Sequence, residues 1–122
     1  MRLLTHNSLR CTAKTAIDGY PLKLEIEDME VDETDYNEPF MTHMIPQLDW
    51  NGVLEAARAV GFDGLPDKFD KSCLSDRDFL LAVHKLLMDI HIVQGTLTCP
   101  DTGKVFKIIN GIPEMNIPEA DA

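Results

Sequence analysis

The chain has 122 residues, of which 44% are hydrophobic but only 7% aromatic, so it can bury one core that is mostly aliphatic. Its 21 acidic residues against 11 lysines and arginines give a formal net charge of -10, which argues against direct binding to RNA or DNA because phosphate backbones are also negative. The sequence has no apolar run that could span a membrane, no signal-peptide core at its start and only 3 scattered cysteines, so we expect an intracellular protein that is kept reduced.

Two strands are predicted near the start of the chain. The first is a short strand within Met1 to Asn7. The second follows the turn Gly19-Tyr20-Pro21, and its apolar positions alternate with charged ones at Leu22, Leu24 and Ile26. The alternation is lost after Glu27, which indicates either a bulge or the end of the strand near Asp28.

A long acidic segment overlaps the second strand. Between Leu24 and Ala57 the sequence has no lysine or arginine. The acidic residues of this stretch are Glu25, Glu27, Asp28, Glu30, Asp32, Glu33, Asp35, Glu38, Asp49 and Glu55. The simpler interpretation is a solvated face that keeps the chain soluble, and the alternative is a surface that meets a basic partner or avoids blocking one.

Two helices are predicted after this strand. Asn37 can cap the first, with Pro39 in its first turn, and Pro46 either ends that helix or forces a new one. Asp49 is the predicted cap of the second helix, which ends at Gly61. The apolar residues of the second helix recur at helical spacing at Trp50, Val53, Leu54, Ala57 and Val60.

The third helix has the strongest helical pattern in the sequence. It follows a predicted loop over residues 62–73, and the segment Ser75 to Asp78 resembles a capping box. The apolar residues on one face are Phe79, Leu80, Val83, Leu86, Leu87 and Ile90. This spacing predicts one continuous helix that reaches Ile90.

The hydrophobic pattern then changes to that of strands. Ile92 to Cys99 is rich in β-branched residues, and a turn over Pro100 to Gly103 leads into a strand over Lys104 to Ile109. Asn110-Gly111 is typical of a tight hairpin turn, and Ile112 to Ile117 is a last extended segment.

Taken together, these elements predict an α+β fold. A small antiparallel sheet would be built from both ends of the chain, as one discontinuous domain over residues 1–35 and 91–122. The helices over residues 36–90 would form a domain that is inserted between the two ends.

The sequence contains no recognisable catalytic motif. It has no nucleophile elbow, no glycine-rich phosphate loop and no dinucleotide fingerprint, and its 4 histidines lack the spacing of metal ligands. Cys99 begins a turn like that of a zinc knuckle, but Thr102 stands where the second thiolate would be. We therefore expect packing rather than metal to hold this turn. Cys11 and Cys99 would touch if the two ends of the chain form neighbouring strands.

The last extended segment is the part most suggestive of binding. Its apolar residues are Ile112, Met115 and Ile117. If the segment lies at the edge of the sheet, its backbone can pair with a strand from another protein. The alternative is that these side chains pack on the helices, and the periodicity favours neither interpretation.

Six stretches, taken in order, resemble the multifunctional methyltransferase activator subunits of eukaryotes and archaea. The stretches are MRLLTHN, GYPLKL, MIPQLDW, FLLAVHKLLMDIHIVQG, GTLTCPDTGKVF and NGIPEM. Each is weakly specific alone, but the ordered set is specific and spans nearly the whole chain.

This resemblance implies a zinc-ribbon-like domain from both termini with an inserted helical domain, in agreement with the architecture above. It also implies a subunit that is not an enzyme and binds no cofactor itself. Its partners would be methyltransferases that use S-adenosylmethionine to modify tRNA, small-subunit rRNA and a translation release factor, in the cytoplasm and nucleus. The implied contact is strand pairing beside a hydrophobic patch.

The resemblance also implies specific residues. The predicted partner-binding residues are Met1, Arg2, Leu3 and Thr5 from the first strand and Gly111, Ile112, Pro113, Met115 and Ile117 from the last. Cys11 and Cys99 match two of the four zinc ligands found in some members, while Ala16 and Thr102 replace the others, so no metal is expected. Glu114 and Asn116 depart from the family pattern, and Asn116 weakens the hydrophobic patch.

Two other functions compete with this one. A zinc-ribbon-derived module could bind nucleic acid or the ribosome directly, but the negative charge and the missing ligands oppose it. A small enzyme of another type is the second, and the absence of any catalytic motif opposes it.

Overall fold

The computed structural model describes residues 1–11 and 19–115, which form a four-stranded antiparallel sheet and several helices. In chain order the main elements are α1 (Leu3–Ser8), β1 (Lys23–Val31), α2 (Glu38–Met44), α3 (Trp50–Val60), α4 (Arg77–His84), β2 (Ile90–Thr98), β3 (Val105–Ile109) and β4 (Ile112–Pro113). Short 3-10 turns lie at Ile45–Gln47 and Lys71–Ser75, and a π-helical turn lies at Lys85–Asp89. The predicted α+β fold is confirmed, with strands from both parts of the chain and helices between them.

The strand order in the sheet is β1-β2-β3-β4, so each strand pairs with its neighbour in sequence. β1 pairs with β2 from Lys23 opposite Thr98 to Val31 opposite Ile90, and the register shifts around Asp28. Of the two predicted alternatives at Asp28, the bulge is therefore the correct one. A bulge adds a residue to one strand and bends it, which explains why the alternation of side chains is lost there.

The hairpin between β3 and β4 turns at Asn110-Gly111, as predicted. Asn110 has φ 51° and Gly111 has φ 79°, so both residues lie in the left-handed region that a two-residue type I′ turn requires. Asparagine and glycine adopt that region at the lowest cost, and the turn places Ile112 opposite Ile109.

Three of the predicted helix boundaries are confirmed by their caps. The side chain of Asn37 accepts a hydrogen bond from the Phe40 amide at 3.0 Å, and that of Asp49 accepts one from the Asn51 amide at 3.1 Å. Gly61 ends α3 with a left-handed backbone at φ 72°.

The predicted cap of the third helix is off by one residue. Ser75 closes the preceding 3-10 turn, so Asp76 is the first residue free to cap α4. The Asp76 carboxylate accepts hydrogen bonds from the amides of Asp78 and Phe79 at 3.0 and 3.4 Å.

The prediction of one continuous helix to Ile90 is wrong. α4 ends at His84, a π-helical turn follows over Lys85–Asp89, and Ile90 already begins β2. The Asp89 carboxylate accepts hydrogen bonds from the amide and the hydroxyl of Thr34 at 3.0 and 2.7 Å. This contact anchors the segment after β1, and the chain changes from helix to strand at that point.

The prediction of a strand over Met1 to Asn7 is also wrong, because most of this segment is the helix α1. Only Arg2 makes an isolated bridge, to His91 of β2. Leu3 and His6 lie one turn apart and are both completely buried, which favours a helix that turns this face to the core. The His6 ring donates from Nε2 to the Leu22 carbonyl at 2.8 Å, while burial lowers the pKa of His6.

The core is one cluster that spans the sheet and the helices. Its completely buried large side chains include Leu3, Leu22, Leu24, Met41, Ile45, Leu86, Leu87, Ile92, Leu97 and Ile108. The division into a terminal domain and an inserted domain stays a prediction. No helix within residues 1–11 and 19–115 is both long and apolar enough to cross a membrane.

Asn7 joins the start of the chain to α3, a role that the sequence did not indicate. The side-chain nitrogen of Asn7 donates to the Asp49 carbonyl at 2.8 Å, and the backbone amide of Asp49 donates to the side-chain oxygen of Asn7 at 3.1 Å. The Tyr20 hydroxyl donates to the Asn7 carbonyl at 2.6 Å. These bonds fix α1 against the first turn of α3.

Replacing Asn7 by alanine should lower the free energy of unfolding by about 2 kcal/mol, because two hydrogen bonds are lost and the Asp49 amide is left without its partner. The matched control is Asn51→Ala on the exposed side of α3, which should change it by less than about 0.5 kcal/mol. Urea unfolding followed by circular dichroism measures both values. Equal effects of the two substitutions would show that the Asn7 contact does not stabilise the fold.

Candidate partner-binding surface

The β1 edge of the sheet is closed at Leu24 by side chains of α3. The Leu24 amide of β1 donates to the Glu55 carboxylate at 2.9 Å, and Arg58 donates to the Leu24 carbonyl at 3.1 Å. Arg58 and Glu55 also form an ion pair at 2.6 Å. Both backbone groups of Leu24 are therefore satisfied within the chain, so a visiting strand cannot pair there.

Hydrogen bonding holds the Glu55 carboxylate in its charged form. Burial acts to raise the pKa of Glu55, but the hydrogen bonds from Arg58 and from the Leu24 amide outweigh it, and the net effect is a lowered pKa. The charged carboxylate is the better acceptor, so the closure of this edge is strongest when Glu55 is ionised.

The opposite edge of the sheet is open in the part of the chain that the structure describes. β4 is the outermost strand and pairs only with β3, through two residue pairs and a further bond from the Glu114 amide to the Lys107 carbonyl at 2.8 Å. Ile112 is 65% exposed, so no described helix covers the side chain at the start of β4. An unpaired edge beside an exposed aliphatic side chain is a typical site for strand addition.

Aliphatic side chains continue from this edge onto the outer face of the sheet. Along β3, Phe106 and Ile108 point into the core, whereas Val105 and Ile109 point outward and are 54% and 42% exposed. Ile112 lies directly opposite Ile109. We call Val105, Ile109 and Ile112 the terminal patch. Lys107 points outward between Val105 and Ile109, so the apolar surface next to the open edge is formed by Ile109 and Ile112.

The start of the chain reaches the same region. The α-amino group of Met1 donates to the Ile92 carbonyl at 2.8 Å, and the Ile92 amide donates to the Met1 carbonyl at 2.7 Å. A Cβ atom at Gly111 would lie only 3.2 Å from the Met1 nitrogen, so the hairpin turn packs against the first residue. Met1, Glu30, His91 and Gly111 are among the residues around a cavity of about 330 Å³.

The two groups of predicted partner-binding residues therefore meet at the start of β2, but they differ in exposure. Arg2, Thr5 and Ile112 are exposed, Gly111, Pro113 and Met115 are half-buried, and Met1 is buried. Leu3 is completely buried and supports this surface from below. Ile117 lies outside the described residues. The role of these residues in binding a partner stays a prediction.

The last extended segment was predicted either to lie open at the sheet edge or to pack within the chain, and each interpretation holds for a different part of it. Ile112 faces solvent at the open edge, whereas Met115 packs against the core. The segment leaves the edge after Pro113, which limits the strand available for pairing to a few residues.

The predicted contact between Cys11 and Cys99 is confirmed. Both thiols are buried, and they are joined by a hydrogen bond. The Thr102 amide also donates to the Cys99 sulfur, at 3.4 Å. Burial acts to raise the pKa of Cys99, but hydrogen bonds from Thr102, Asp101 and Cys11 outweigh it and lower the pKa.

The turn that begins at Cys99 resembles one half of a zinc knuckle, but its donor atoms do not complete a zinc site. Within residues 1–11 and 19–115, no three histidine, cysteine or acidic side chains come close enough to hold a metal ion. Two sulfurs fall short of the four ligands of a structural zinc site. The position of Ala16 lies outside the described residues, and the zinc-ribbon-like character of the sheet stays a prediction.

Comparison with known proteins gives one consistent result. The family model described as Trm112p-like protein matches residues 2–111. The chain is 37% identical to the Arabidopsis thaliana protein named multifunctional methyltransferase subunit TRM112 homolog A, covering 98% of each. It is 31% identical to the multifunctional methyltransferase subunit TRM112 of Saccharomyces cerevisiae, covering 97% of each.

A solved structure shares the fold. It is the E. cuniculi complex of Mtq2 with Trm112, described as responsible for methylation of the translation termination factor eRF1. The matching chain superposes with a TM-score of 0.64 at 21% sequence identity, covering 94% of each chain. At this identity the likeness is evidence for the fold alone.

The closed edge predicts a specific dependence of stability on pH. Because the pKa of Glu55 is lower in the folded chain than its ordinary value of 4.5, its contribution is present above that value and is lost as the pH falls through the folded-state pKa. Glu55→Gln should therefore lower the urea midpoint at pH 7 and flatten its decline between about pH 5 and about pH 3.

The matched control is Glu27→Gln, which changes an exposed carboxylate further along β1. It should leave both the midpoint at pH 7 and its decline with acid close to those of the unchanged protein. An unchanged decline in Glu55→Gln would contradict the role of this carboxylate in closing the edge.

Proposed function

We propose that this chain, which belongs to the Trm112p-like protein family, is the non-catalytic subunit of heterodimers with methyltransferases. The observation that carries the proposal is the open β4 edge beside the terminal patch, on a sheet whose other edge is closed at Leu24 by α3. Relatives that align over nearly their whole length are named multifunctional methyltransferase subunits, which supports the same assignment.

Binding would occur by addition of a strand from the enzyme to β4. Backbone hydrogen bonds would extend the sheet into the partner, and the terminal patch would bury apolar side chains of both proteins. The partner would thereby cover an edge and an apolar surface that each protein otherwise exposes to water. Because only the folded enzyme offers that strand in the right place, binding would stabilise the folded enzyme by mass action.

The methyl transfer itself would take place in the partner. The partner would bind S-adenosylmethionine, and this chain would bind no cofactor. The substrates we propose are tRNA, small-subunit rRNA and a translation release factor, modified in the cytoplasm and the nucleus. The E. cuniculi complex with Mtq2 is described as methylating such a factor, which supports the last of these.

The charge of the chain suits a subunit that leaves the substrate to the enzyme. The exposed residues of β1 at and after the bulge include Glu27, Asp28 and Glu30, and the whole chain carries a net charge of -10. Such a surface repels RNA, so an RNA substrate would be held by basic residues of the enzyme.

Ile112→Asp should abolish co-purification with the methyltransferase catalytic subunits of the native cell, identified by mass spectrometry. A carboxylate at this position would be buried without a partner in the interface, which is strongly unfavourable. Because Ile112 is 65% exposed, the variant should still fold, as circular dichroism would verify.

The matched control for this substitution is Phe40→Asp. Phe40 is 44% exposed and lies on α2, outside the sheet, so it introduces the same charge away from β4 and from the start of β2. It should leave binding intact. Full binding by Ile112→Asp, or equal loss in both variants, would show that the enzyme docks elsewhere.

A titration of the isolated chain with tRNA tests the rival function of direct nucleic-acid binding. We expect no binding tighter than about 10 μM at 0.15 M salt, because the net charge opposes contact with phosphates. Tight binding that weakens steeply with salt would favour the rival. Methyl transfer by the isolated chain, measured with labelled S-adenosylmethionine, should be absent, and its detection would contradict the proposed non-catalytic role.

A further inference from the structure

We propose that a cavity among the helices is a second binding site, which takes an aromatic or large aliphatic side chain next to an arginine or lysine of a partner polypeptide. The cavity has a volume of about 570 Å³ and lies between the loop at residues 64–66 and the first turns of α4. We call it the lobe cavity. It uses neither β4 nor the terminal patch, so it is distinct from the proposed docking edge.

The walls of the lobe cavity are mostly apolar. They include Leu65 and Pro66 from the loop, Phe79 and Ala82 from α4, and Cys73. An apolar concave surface of this size accommodates one large side chain and excludes water from it.

Aromatic residues behind the cavity support its walls. The Trp50 ring nitrogen donates to the Pro66 carbonyl at 2.9 Å, which ties the loop to α3. The rings of Trp50 and Phe79 lie 5.8 Å apart, and those of Phe69 and Phe79 lie 6.2 Å apart. These contacts tie the loop and α4 to the same group of aromatic rings, which favours a site that is formed before the ligand binds.

The rim of the lobe cavity is negative. Asp76 and Asp78 line it, and no lysine or arginine is among the lining residues. Asp76 is fixed by its hydrogen bonds to the α4 amides, while Asp78 is exposed and forms no ion pair with the described residues. Apolar walls beside the exposed Asp78 carboxylate complement a peptide that has an apolar side chain next to a cationic one.

This combination selects a polypeptide over a nucleic acid. The two carboxylates and the net charge of -10 would repel phosphates, whereas both would attract a basic peptide. A short segment of the partner that lies outside the strand added to β4 would therefore contact the helices as well as the sheet. Two separate contacts on one subunit raise the overall affinity by effective concentration.

Binding is tested on the full chain with the dipeptide N-acetyl-Phe-Arg-amide and its uncharged analogue N-acetyl-Phe-citrulline-amide. The arginine peptide should bind with a Kd on the order of 1 mM, and the citrulline peptide about fivefold more weakly. Backbone amide resonances of Gly64, Leu65 and Ala82 should shift, and the emission of Trp50, the only tryptophan, should change. Cys73 lines the cavity, so a bound peptide should slow its alkylation. Cys73 is the thiol that reports on binding, because Cys11 and Cys99 are buried.

Two variants locate the site. Asp78→Asn should bring the affinity of the arginine peptide down to that of the citrulline peptide, whereas Asp67→Asn, an exposed carboxylate that does not line the cavity, should not change it. Ala82→Leu should weaken both peptides by filling the cavity, and Ile112→Asp should leave both unchanged. The inference is overturned if the shifts map elsewhere, if both peptides bind equally, or if Asp78→Asn and Asp67→Asn behave alike.

Discussion

The contact of Glu55 and Arg58 with the backbone of Leu24 joins α3 to the β1 edge of the sheet and makes the two edges unequal. Any small antiparallel sheet has two edges, and each presents unpaired amides and carbonyls that can recruit a strand. Here α3 lies along β1 and its ion pair occupies both backbone groups of Leu24. The same helix is fixed to the start of the chain through Asn7, so the closed edge and the packing of α1 depend on one another. β4 lies at the other side of the sheet, where no described helix makes such a contact with the strand.

Local features of this fold could be predicted from the sequence because short-range chemistry determines them. Asn37 and Asp49 cap their helices, Gly61 and Asn110-Gly111 adopt left-handed backbone, and the loss of alternation marks the bulge at Asp28. The errors concern segments whose structure depends on distant contacts. The leucines near the start are compatible with either a strand or a helix, and burial of Leu3 and His6 on one face selects the helix. The π-helical turn after His84 ends at Asp89, whose carboxylate accepts hydrogen bonds from Thr34, 55 residues earlier along the chain.

For the candidate site too, the sequence predicts the local features but not those that depend on distant contacts. The apolar character of Ile112 and the turn before it were visible in the sequence, but neither indicates which edge of the sheet stays open. That depends on where α3 lies, and only Leu24 among the residues of β1 carries the contact that closes the other edge. The family resemblance assigned Met1 and Gly111 to one set of partner-binding residues. The structure gives the physical reason, because Met1 packs against the hairpin turn that contains Gly111. It also separates Leu3, which is buried, from the exposed residues around it.

An open edge beside exposed aliphatic side chains would ordinarily promote pairing between copies of the same chain. Three features oppose that here. β4 is only two residues long, Met115 turns away from the edge into the core, and every copy carries a net charge of -10. The short β4 limits the number of backbone hydrogen bonds for every partner, so other interactions must add to the binding. Two copies bring together like charges, whereas an enzyme with a basic surface gains from the charge. The charge thus favours a different protein as the partner, and the acidic surface contributes to that choice without touching the edge itself.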